Sequence, residues 1–157
     1  MMNLYSEVLS ALRGKTLVTA ESCTGGGVGA ALTAIPGSSE VYKGGVISYS
    51  NWVKEHTLGV SAQILEQHGA VSAPVAEAMA IGVKELLYAD ISVSVTGLAG
   101  PGGDDYGHEV GTVFVACSTE KGTVVREYHF CGDRNSVREQ AVASALLLIL
   151  DCCEQME

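Results

Sequence analysis

Two stretches of the sequence carry side chains suited to acyl-transfer chemistry. The first holds Ser22 and Cys23, which follow the β-branched and apolar run 16–20 and precede three consecutive glycines. The second holds Tyr49, near the end of another β-favouring run, and Lys54, which lies five residues later. A serine hydroxyl is a weak nucleophile until a base takes its proton, and a lysine amine can be that base when desolvation or nearby positive charge keeps it neutral. A Ser–Lys pair with a tyrosine as bridge or donor is therefore feasible if the fold brings the two stretches together.

Each of these side chains also has a simpler interpretation. Serine is a preferred helix-capping residue, Tyr49 fits a half-buried strand position, and Lys54 fits a solvated surface. Cys23 competes with Ser22 as the nucleophile, because a thiol at a helix N-terminus can have a lowered pKa. Its simpler interpretation is a buried spectator. The residue types alone leave these alternatives open.

The element that would position Ser22 is a strand-to-helix turn. Residues 16–20 predict a buried strand, and the small residues after the glycines predict a helix. Ligands of open α/β sheets usually bind at the carboxyl ends of the strands. The N–H groups of Cys23, Thr24 or Gly25 would suit a developing oxyanion, and the helix start would suit a phosphate. We therefore expect this turn to be the centre of the active site.

Hydrophobic periodicity predicts the other elements. Further helices are predicted over residues 4–12, around Lys54, over 61–68, from 72 or 73 to 86, and from about 136 onward. Strands are predicted over 41–50, 91–95, 110–117 and 122–130, the last two as a hairpin. Strands interleaved with helices indicate an α/β sandwich, to which the late hairpin adds an antiparallel element.

A glycine-rich loop follows the third predicted strand. Backbone N–H groups in such a loop can form a nest for a phosphate, whereas the simpler interpretation is a flexible connection. Beyond the glycines, Asp104 and Asp105 are expected to form a solvated loop tip, and the histidines show no metal-ligand spacing. We therefore expect neither a metal nor another cofactor.

The composition restricts the class of protein. A chain of 157 residues predicts a single domain, and a net charge of −9 argues against nucleic-acid binding, which uses a basic face. The sequence shows no signal segment and no apolar run long enough to span a membrane, so we expect a cytoplasmic protein, no membrane partner and five reduced cysteines. The run 146–150 is apolar on all sides and is either deeply buried or covered by another subunit, so a homo-oligomer is expected among the partners.

These features together resemble the CinA C-terminal domain family, whose active members are nicotinamide mononucleotide deamidases. The resemblance covers nearly the whole chain, and its strongest segment is Ala-Glu-Ser-Cys-Thr-Gly-Gly at 20–26. The other segments, in order, are 45–51 with Lys54, 69–72, 95–103, 110–113 and 130–134. Two departures stand out. His108 and Glu109 occupy a place where a lysine–proline pair is common, and we expect the separate N-terminal domain of longer members, with its activity, to be absent.

The resemblance implies both a fold and a reaction. The fold is a three-layer α/β/α sandwich on a mixed, mostly parallel sheet, with residues 1–157 as a single amidohydrolase domain. The reaction is metal-independent hydrolysis of the carboxamide of nicotinamide mononucleotide to nicotinate mononucleotide and ammonia. The role of nucleophile falls on Ser22, with Lys54 and Tyr49 as its partners. The alternative is a regulatory module that binds a pyridine nucleotide without cleaving it.

The expected substrate-binding residues come from the turn, the glycine-rich loop and the start of the last helix. The substrate phosphate is expected on the loop 96–103 or at the helix start 25–27, together with Arg134. The full set of expected binding residues is Cys23, Thr24, Gly25, Gly26, Thr96, Gly97, Gly100, Gly102, Gly103 and Arg134.

Overall fold

A five-stranded mixed sheet is the frame of the molecule. The computed structural model describes the backbone of residues 2–156 and the side chains of residues 4–156. The strands are β1 (Leu17–Glu21), β2 (Tyr42–Ile47), β3 (Ile91–Gly97), β4 (Thr112–Thr119) and β5 (Gly122–His129). The helices are α1 (Met2–Ala11), α2 (Gly27–Thr33), α3 (Asn51–His56), α4 (Ala62–His68), α5 (Ala73–Leu86) and α6 (Arg134–Met156), with a 3-10 turn at Ser38–Glu40.

The strand order β2-β1-β3-β4-β5 brings three carboxyl ends to one edge of the sheet. Strand β1 pairs in parallel with β2 on one side and with β3 on the other, and Glu21 lies level with both Ile47 and Val95. The residues that directly follow these three strands therefore meet. Strands β3, β4 and β5 are joined by antiparallel pairings, so the predicted hairpin and the predicted α/β fold on a mixed sheet are confirmed.

Helices pack on the sheet because successive strand residues point to opposite faces. Leu17 packs in a cluster with residues of α1, α2 and α6, whereas its neighbour Val18 packs with residues of α4 and α5. On the α5 side, the buried hydroxyls of Ser92 and Ser94 donate hydrogen bonds to carbonyl oxygens of that helix. These bonds satisfy polar groups that would otherwise be costly to bury in the core.

Two predicted boundaries differ from the structure because of capping. Strand β2 ends at Ile47 rather than at residue 50, and Ser50 caps α3 by accepting a hydrogen bond from the Val53 N–H group. Helix α6 begins two residues before Ser136, whose N–H group donates to the carboxylate of Asp133. Because Ser50 and Asp133 cap the two helices, the chain leaves the preceding segment earlier than hydrophobic periodicity indicates.

The apolar run in α6 is mostly inside the subunit. Leu146, Leu148 and Ile149 are fully buried, whereas Leu147 is about half exposed (49%). Burial within one subunit therefore accounts for most of the run, and the homo-oligomer stays a prediction. Within residues 2–156 no helix is both long enough and apolar enough to cross a membrane.

Candidate active site

A cavity of about 630 Å³ opens at the edge where β1, β2 and β3 end. Five segments line it: the turn at Ser22 and Cys23, the stretch from Tyr49 to Lys54, residues 70–71 after α4, the loop 96–106, and Arg134 at the start of α6. The two stretches singled out for chemistry therefore share one cavity with the glycine-rich loop. Among the described residues, no group of three or more His, Cys, Asp or Glu side chains is arranged to hold a metal ion.

Lys54 and Ser22 are in direct contact. The Lys54 Nζ atom lies 3.0 Å from the Ser22 Oγ atom, and the lysine is only 1% exposed. Within residues 2–156 no carboxylate lies within ion-pairing distance of this amine. Burial lowers the pKa of Lys54 to about 8. The interpretation of Lys54 as a solvated surface lysine is therefore wrong, and its amine is neutral in a substantial fraction of molecules near pH 8.

Two backbone carbonyls fix the direction of the Lys54 amine. The Nζ atom donates to the carbonyl oxygen of Ser48 at 2.7 Å and to that of Tyr49 at 3.4 Å. A neutral amine has two hydrogens and one lone pair. When those hydrogens point at the two carbonyls, the lone pair is left for the proton of Ser22. The arrangement is therefore suited to removing a proton from the serine hydroxyl.

The backbone of the turn holds Ser22 against the sheet. The Ser22 N–H group donates to the carbonyl of Val95, and the Ser22 carbonyl accepts from Gly25. Among the described residues, no oxygen accepts a hydrogen bond from the N–H group of Cys23 or Thr24. The N–H groups of Cys23 and Thr24 therefore have no acceptor oxygen in the described part of the chain, whereas that of Gly25 is occupied. Of the first two residues, Cys23 lines the cavity and Thr24 does not. Ser22 is also not the helix cap, because Gly26 holds that position in α2.

Glu21 fills the start of α2 with its own carboxylate. The side chain is 2% exposed and accepts hydrogen bonds from the Thr24 hydroxyl and the Val28 N–H group at Oε1, and from the Gly29 N–H group at Oε2. A carboxylate at a helix N-terminus accepts hydrogen bonds from the unpaired N–H groups, and its negative charge is stabilised by the positive end of the helix dipole. Of the two places predicted for a substrate phosphate, the helix start is therefore occupied by the protein itself.

Three of the expected binding residues lie outside the cavity lining. The Thr24 hydroxyl is turned to Glu21, and Gly25 and Gly26 do not line the cavity that holds Ser22. Gly26 instead borders a smaller cavity beside Tyr42, on another side of the turn. In contrast, all the expected binding residues of the glycine-rich loop line the main cavity: Thr96, Gly97, Gly100, Gly102 and Gly103.

Arg134 joins Tyr49 to the glycine-rich loop across the cavity mouth. Its Nη1 atom donates to the carbonyl of Gly100 at 2.6 Å, and its Nη2 atom donates to the Tyr49 hydroxyl at 3.2 Å. The tyrosine is 62% exposed rather than half-buried as a strand residue. Its hydroxyl has no hydrogen bond to Lys54 or Ser22 in the described part of the chain, so Tyr49 reaches the amine through its carbonyl alone.

Asp104 organises the far end of the loop, a role that the sequence did not predict. Its carboxylate accepts from the N–H groups of Tyr106 and His108 and contacts the His108 Nδ1 atom at 2.7 Å. Burial alone would raise the pKa of Asp104, but the hydrogen bonds from His108 and Tyr106 hold it below its ordinary value. The expectation of a solvated tip is therefore wrong for Asp104, although Asp105 is exposed. The available signal was the tendency of an Asp side chain in a turn to accept hydrogen bonds from N–H groups a few residues further along the chain.

Cys23 is an unactivated thiol in this structure. It is 6% exposed, and burial raises the pKa of its thiol to about 11. The lowered pKa considered for a thiol at a helix start is therefore wrong, because desolvation exceeds the favourable contributions of Lys54 and Arg138. Cys23 lines the cavity as a neutral side chain at neutral pH.

Comparisons with known proteins agree on one family. The family model described as CinA C-terminal domain matches residues 2–153. The chain is 47% identical over 149 residues to nicotinamide-nucleotide amidohydrolase PncC of Escherichia coli, covering 93% of this chain and 90% of that protein. It is 55% identical over 122 residues to a CinA-like protein of Prochlorococcus marinus, covering 76% of this chain but 28% of that protein.

A solved structure supports the same likeness. A competence-damaged protein (CinA) superfamily protein from Klebsiella pneumoniae superposes with a TM-score of 0.95 at 36% identity, covering 98% of each chain. The chain spans about a third of the length of the curated CinA-like relatives that it matches, from 28% to 35% of each. Relatives of this chain therefore include both short proteins of its own length and much longer ones.

Proposed function

This chain belongs to the CinA C-terminal domain family, and from that premise we propose that it hydrolyses the carboxamide of nicotinamide mononucleotide to nicotinate mononucleotide and ammonia. The observation that carries the proposal is the 3.0 Å contact between a buried lysine amine and a serine hydroxyl at the cavity floor. The name of the Escherichia coli relative supplies the substrate class.

In the first half of the proposed reaction, Ser22 attacks the carboxamide carbon. Its Oγ atom forms a bond to that carbon while its proton passes to the neutral Lys54 amine. The carbonyl oxygen becomes an oxyanion, which the N–H groups of Cys23 and Thr24 stabilise. When the tetrahedral intermediate collapses, the carbon–nitrogen bond breaks and the Lys54 ammonium returns the proton to the leaving ammonia. The product of this half is a nicotinate mononucleotide ester on Ser22.

In the second half, water replaces ammonia. Lys54 takes a proton from a water molecule, which attacks the ester carbon, and the same N–H groups stabilise the second oxyanion. Collapse breaks the ester bond and returns the proton to Ser22, so the enzyme is restored. General-base assistance contributes roughly 10²–10⁴ and an oxyanion donor roughly 10²–10³ in rate.

The phosphate of the substrate is proposed to bind at the glycine-rich loop. Gly102 and Gly103 line the cavity, and the Arg134 guanidinium at its mouth supplies positive charge in a chain of net charge −9. The helix start is the weaker candidate, because the carboxylate of Glu21 would repel a phosphate there. Tyr49 is proposed to act through Arg134 or, on substrate binding, as a proton donor beside Lys54.

The alternative function is a module that binds a pyridine nucleotide without cleaving it. The loops that line the cavity fit that role equally. However, burying a lysine without a carboxylate partner costs folding free energy, and a protein that only binds gains nothing from that cost. We therefore retain the enzyme, with residues 1–157 proposed as a single catalytic domain in a three-layer α/β/α arrangement.

Ammonia release from nicotinamide mononucleotide tests the proposal. The purified protein, treated with a chelator, is expected to release ammonia, and Ser22→Ala is expected to retain less than about a tenth of that rate. Calorimetry that shows nucleotide binding without ammonia release would favour the binding module. Equal turnover by wild type and Ser22→Ala would contradict the assigned nucleophile.

A further inference from the structure

Arg138 of α6 reaches across to the turn that carries Ser22. Its Nε atom donates to the carbonyl of Cys23 at 3.1 Å, and its Nη2 atom donates to the carbonyl of Thr24 at 3.3 Å. Within residues 2–156 it makes no ion pair with a carboxylate, although the chain is acidic. The guanidinium is therefore used to hold two consecutive carbonyls of the turn.

The hydrogen bonds of the turn show what depends on Arg138. The peptide group that ends at Ser22 is held on both sides, by Val95 and by Ser48. The peptide group that joins Thr24 to Gly25 has further partners within the turn. The peptide group that joins Cys23 to Thr24 has Arg138 as its one hydrogen-bond partner among the described residues. Without Arg138 this group has no polar contact to fix its rotation.

The orientation of that peptide group decides where the Thr24 N–H group points. In a trans peptide, the carbonyl and the following N–H group point in opposite directions. Because the Cys23 carbonyl faces Arg138, the Thr24 N–H group faces away from α6. Neither Arg138 nor Thr24 lines the cavity, whereas Ser22 and Cys23 do. The arginine therefore lies behind the turn and acts on the cavity through the backbone.

We propose that Arg138 is a positioning residue, which holds the Cys23–Thr24 peptide group and so fixes the turn whose backbone N–H groups stabilise the oxyanion formed on attack by Ser22. The proposal rests on the proposed function, since it concerns the donors for that reaction. A hydrogen bond at the carbonyl also polarises the peptide group and strengthens its N–H as a donor. The positive charge adds to this effect, because Arg138 contributes to lowering the pKa of the Cys23 thiol against its burial.

Steady-state kinetics separate this role from substrate binding. Arg138→Ala is expected to lower kcat for nicotinamide mononucleotide by about 10–100-fold with KM changed by less than about threefold, since the oxyanion exists only in the transition state. Arg138→Lys keeps the charge but not the paired donors and is expected to recover part of kcat. Arg126, which pairs with Asp151 on the surface, provides the matched control, and Arg126→Ala is expected to match wild type.

Two measurements keep the test independent of the true substrate. A fluorophosphonate forms a bond from the Ser22 Oγ atom to phosphorus while fluoride leaves and the hydroxyl proton passes to Lys54. Its labelling rate is expected to fall about tenfold or more in Arg138→Ala, because the phosphoryl oxygen occupies the place of the oxyanion. In NMR spectra of the same variants, the Thr24 amide signal is expected to shift or exchange faster in Arg138→Ala, while signals of β3 stay in place.

The outcomes distinguish a failure of the role proposed for Arg138 from a failure of the proposed function. Labelling of wild type and Arg138→Ala at rates within about twofold of each other would overturn the role of Arg138. A wild type that is neither labelled nor active would overturn the proposed function, and the Thr24 amide would still decide whether Arg138 positions the peptide group. A fall in the folded fraction of Arg138→Ala, with full kcat per folded molecule, would reduce Arg138 to a purely structural residue and contradict the inference.

Discussion

The Lys54 amine and the Ser22 hydroxyl lie 3.0 Å apart although 32 residues separate them in sequence. The contact exists because β1 and β2 pair in parallel and end at the same level, Glu21 beside Ile47. Ser22 follows the first strand directly, and the short helix α3 carries Lys54 back over the second. Lys54 can act as a base only when its amine is neutral, so the pKa of this amine determines how turnover and stability depend on pH.

The first prediction concerns the pH dependence of turnover. The base must be neutral, and burial lowers the pKa of Lys54 to about 8. Activity is therefore expected to rise about tenfold per pH unit below that value and to level off above it. A pH–rate profile of kcat/KM measures this. A profile that is flat from pH 6 to 10 would mean that Lys54 is not the base.

The second prediction concerns stability. The pKa of Lys54 is lower in the folded chain than its ordinary 10.5, so between about 8 and 10.5 the unfolded chain binds more protons. The free energy of unfolding therefore rises with pH in that window, by up to about 3 kcal/mol at 1.36 kcal/mol per pKa unit. Below about 8 the amine is charged in both states and this contribution to stability is absent.

Lys54→Met is the reference for that measurement. Urea unfolding of wild type and Lys54→Met at pH 7 and pH 10 is expected to show wild type gaining relative to the variant as pH rises. A difference that stays constant over this range would show that the folded amine titrates normally.

The third prediction separates two roles of Tyr49. Because its hydroxyl meets Arg134 and not Lys54, Tyr49→Phe is expected to raise KM by about 3–10-fold, the loss of one hydrogen bond, with kcat largely retained. Arg134→Lys is expected to raise KM further, because the contacts to Tyr49 and Gly100 are both altered. A fall of kcat by about 100-fold in Tyr49→Phe would instead place the hydroxyl beside Lys54 during the reaction.

The fourth prediction concerns the thiol beside the nucleophile. With a pKa of about 11, Cys23 is protonated at neutral pH and is a poor nucleophile. Iodoacetamide is therefore expected to inactivate the protein slowly, and Cys23→Ser is expected to remain active. Loss of activity in Cys23→Ser together with an active Ser22→Ala would assign the nucleophile to the thiol.

The sequence was sufficient to predict the strand-to-helix turn, because a short apolar strand followed by glycines has few alternatives. It also identified Lys54, but not its burial, since burial depends on α3 folding back over the end of β2 so that Lys54 meets the Ser48 carbonyl. The packing of α3 against the end of β2 depends on tertiary structure. The local sequence around Lys54 is equally compatible with a buried lysine and with a lysine on the surface.

The roles of Glu21, Asp104 and Arg138 were not predicted from the sequence, for a related reason. Each acts by hydrogen bonding to backbone groups, which carry no sequence signature of their own. The partners of Arg138 lie more than a hundred residues away, whereas those of Glu21 and Asp104 lie within eight residues. The two local carboxylates were thus within reach of capping rules, and the arginine was not.

The central claim is that Lys54 takes the proton of Ser22 so that the serine is acylated. Rapid-quench mass spectrometry of a single turnover with nicotinamide mononucleotide tests it most directly, with wild type compared against Lys54→Met and Ser22→Ala. The account predicts a nicotinate mononucleotide ester located on Ser22 itself by fragmentation of the labelled peptide, formed in wild type and absent from both variants. Product formation in the first turnover by Ser22→Ala at the rate of wild type, or a thioester found on Cys23 instead, would contradict it.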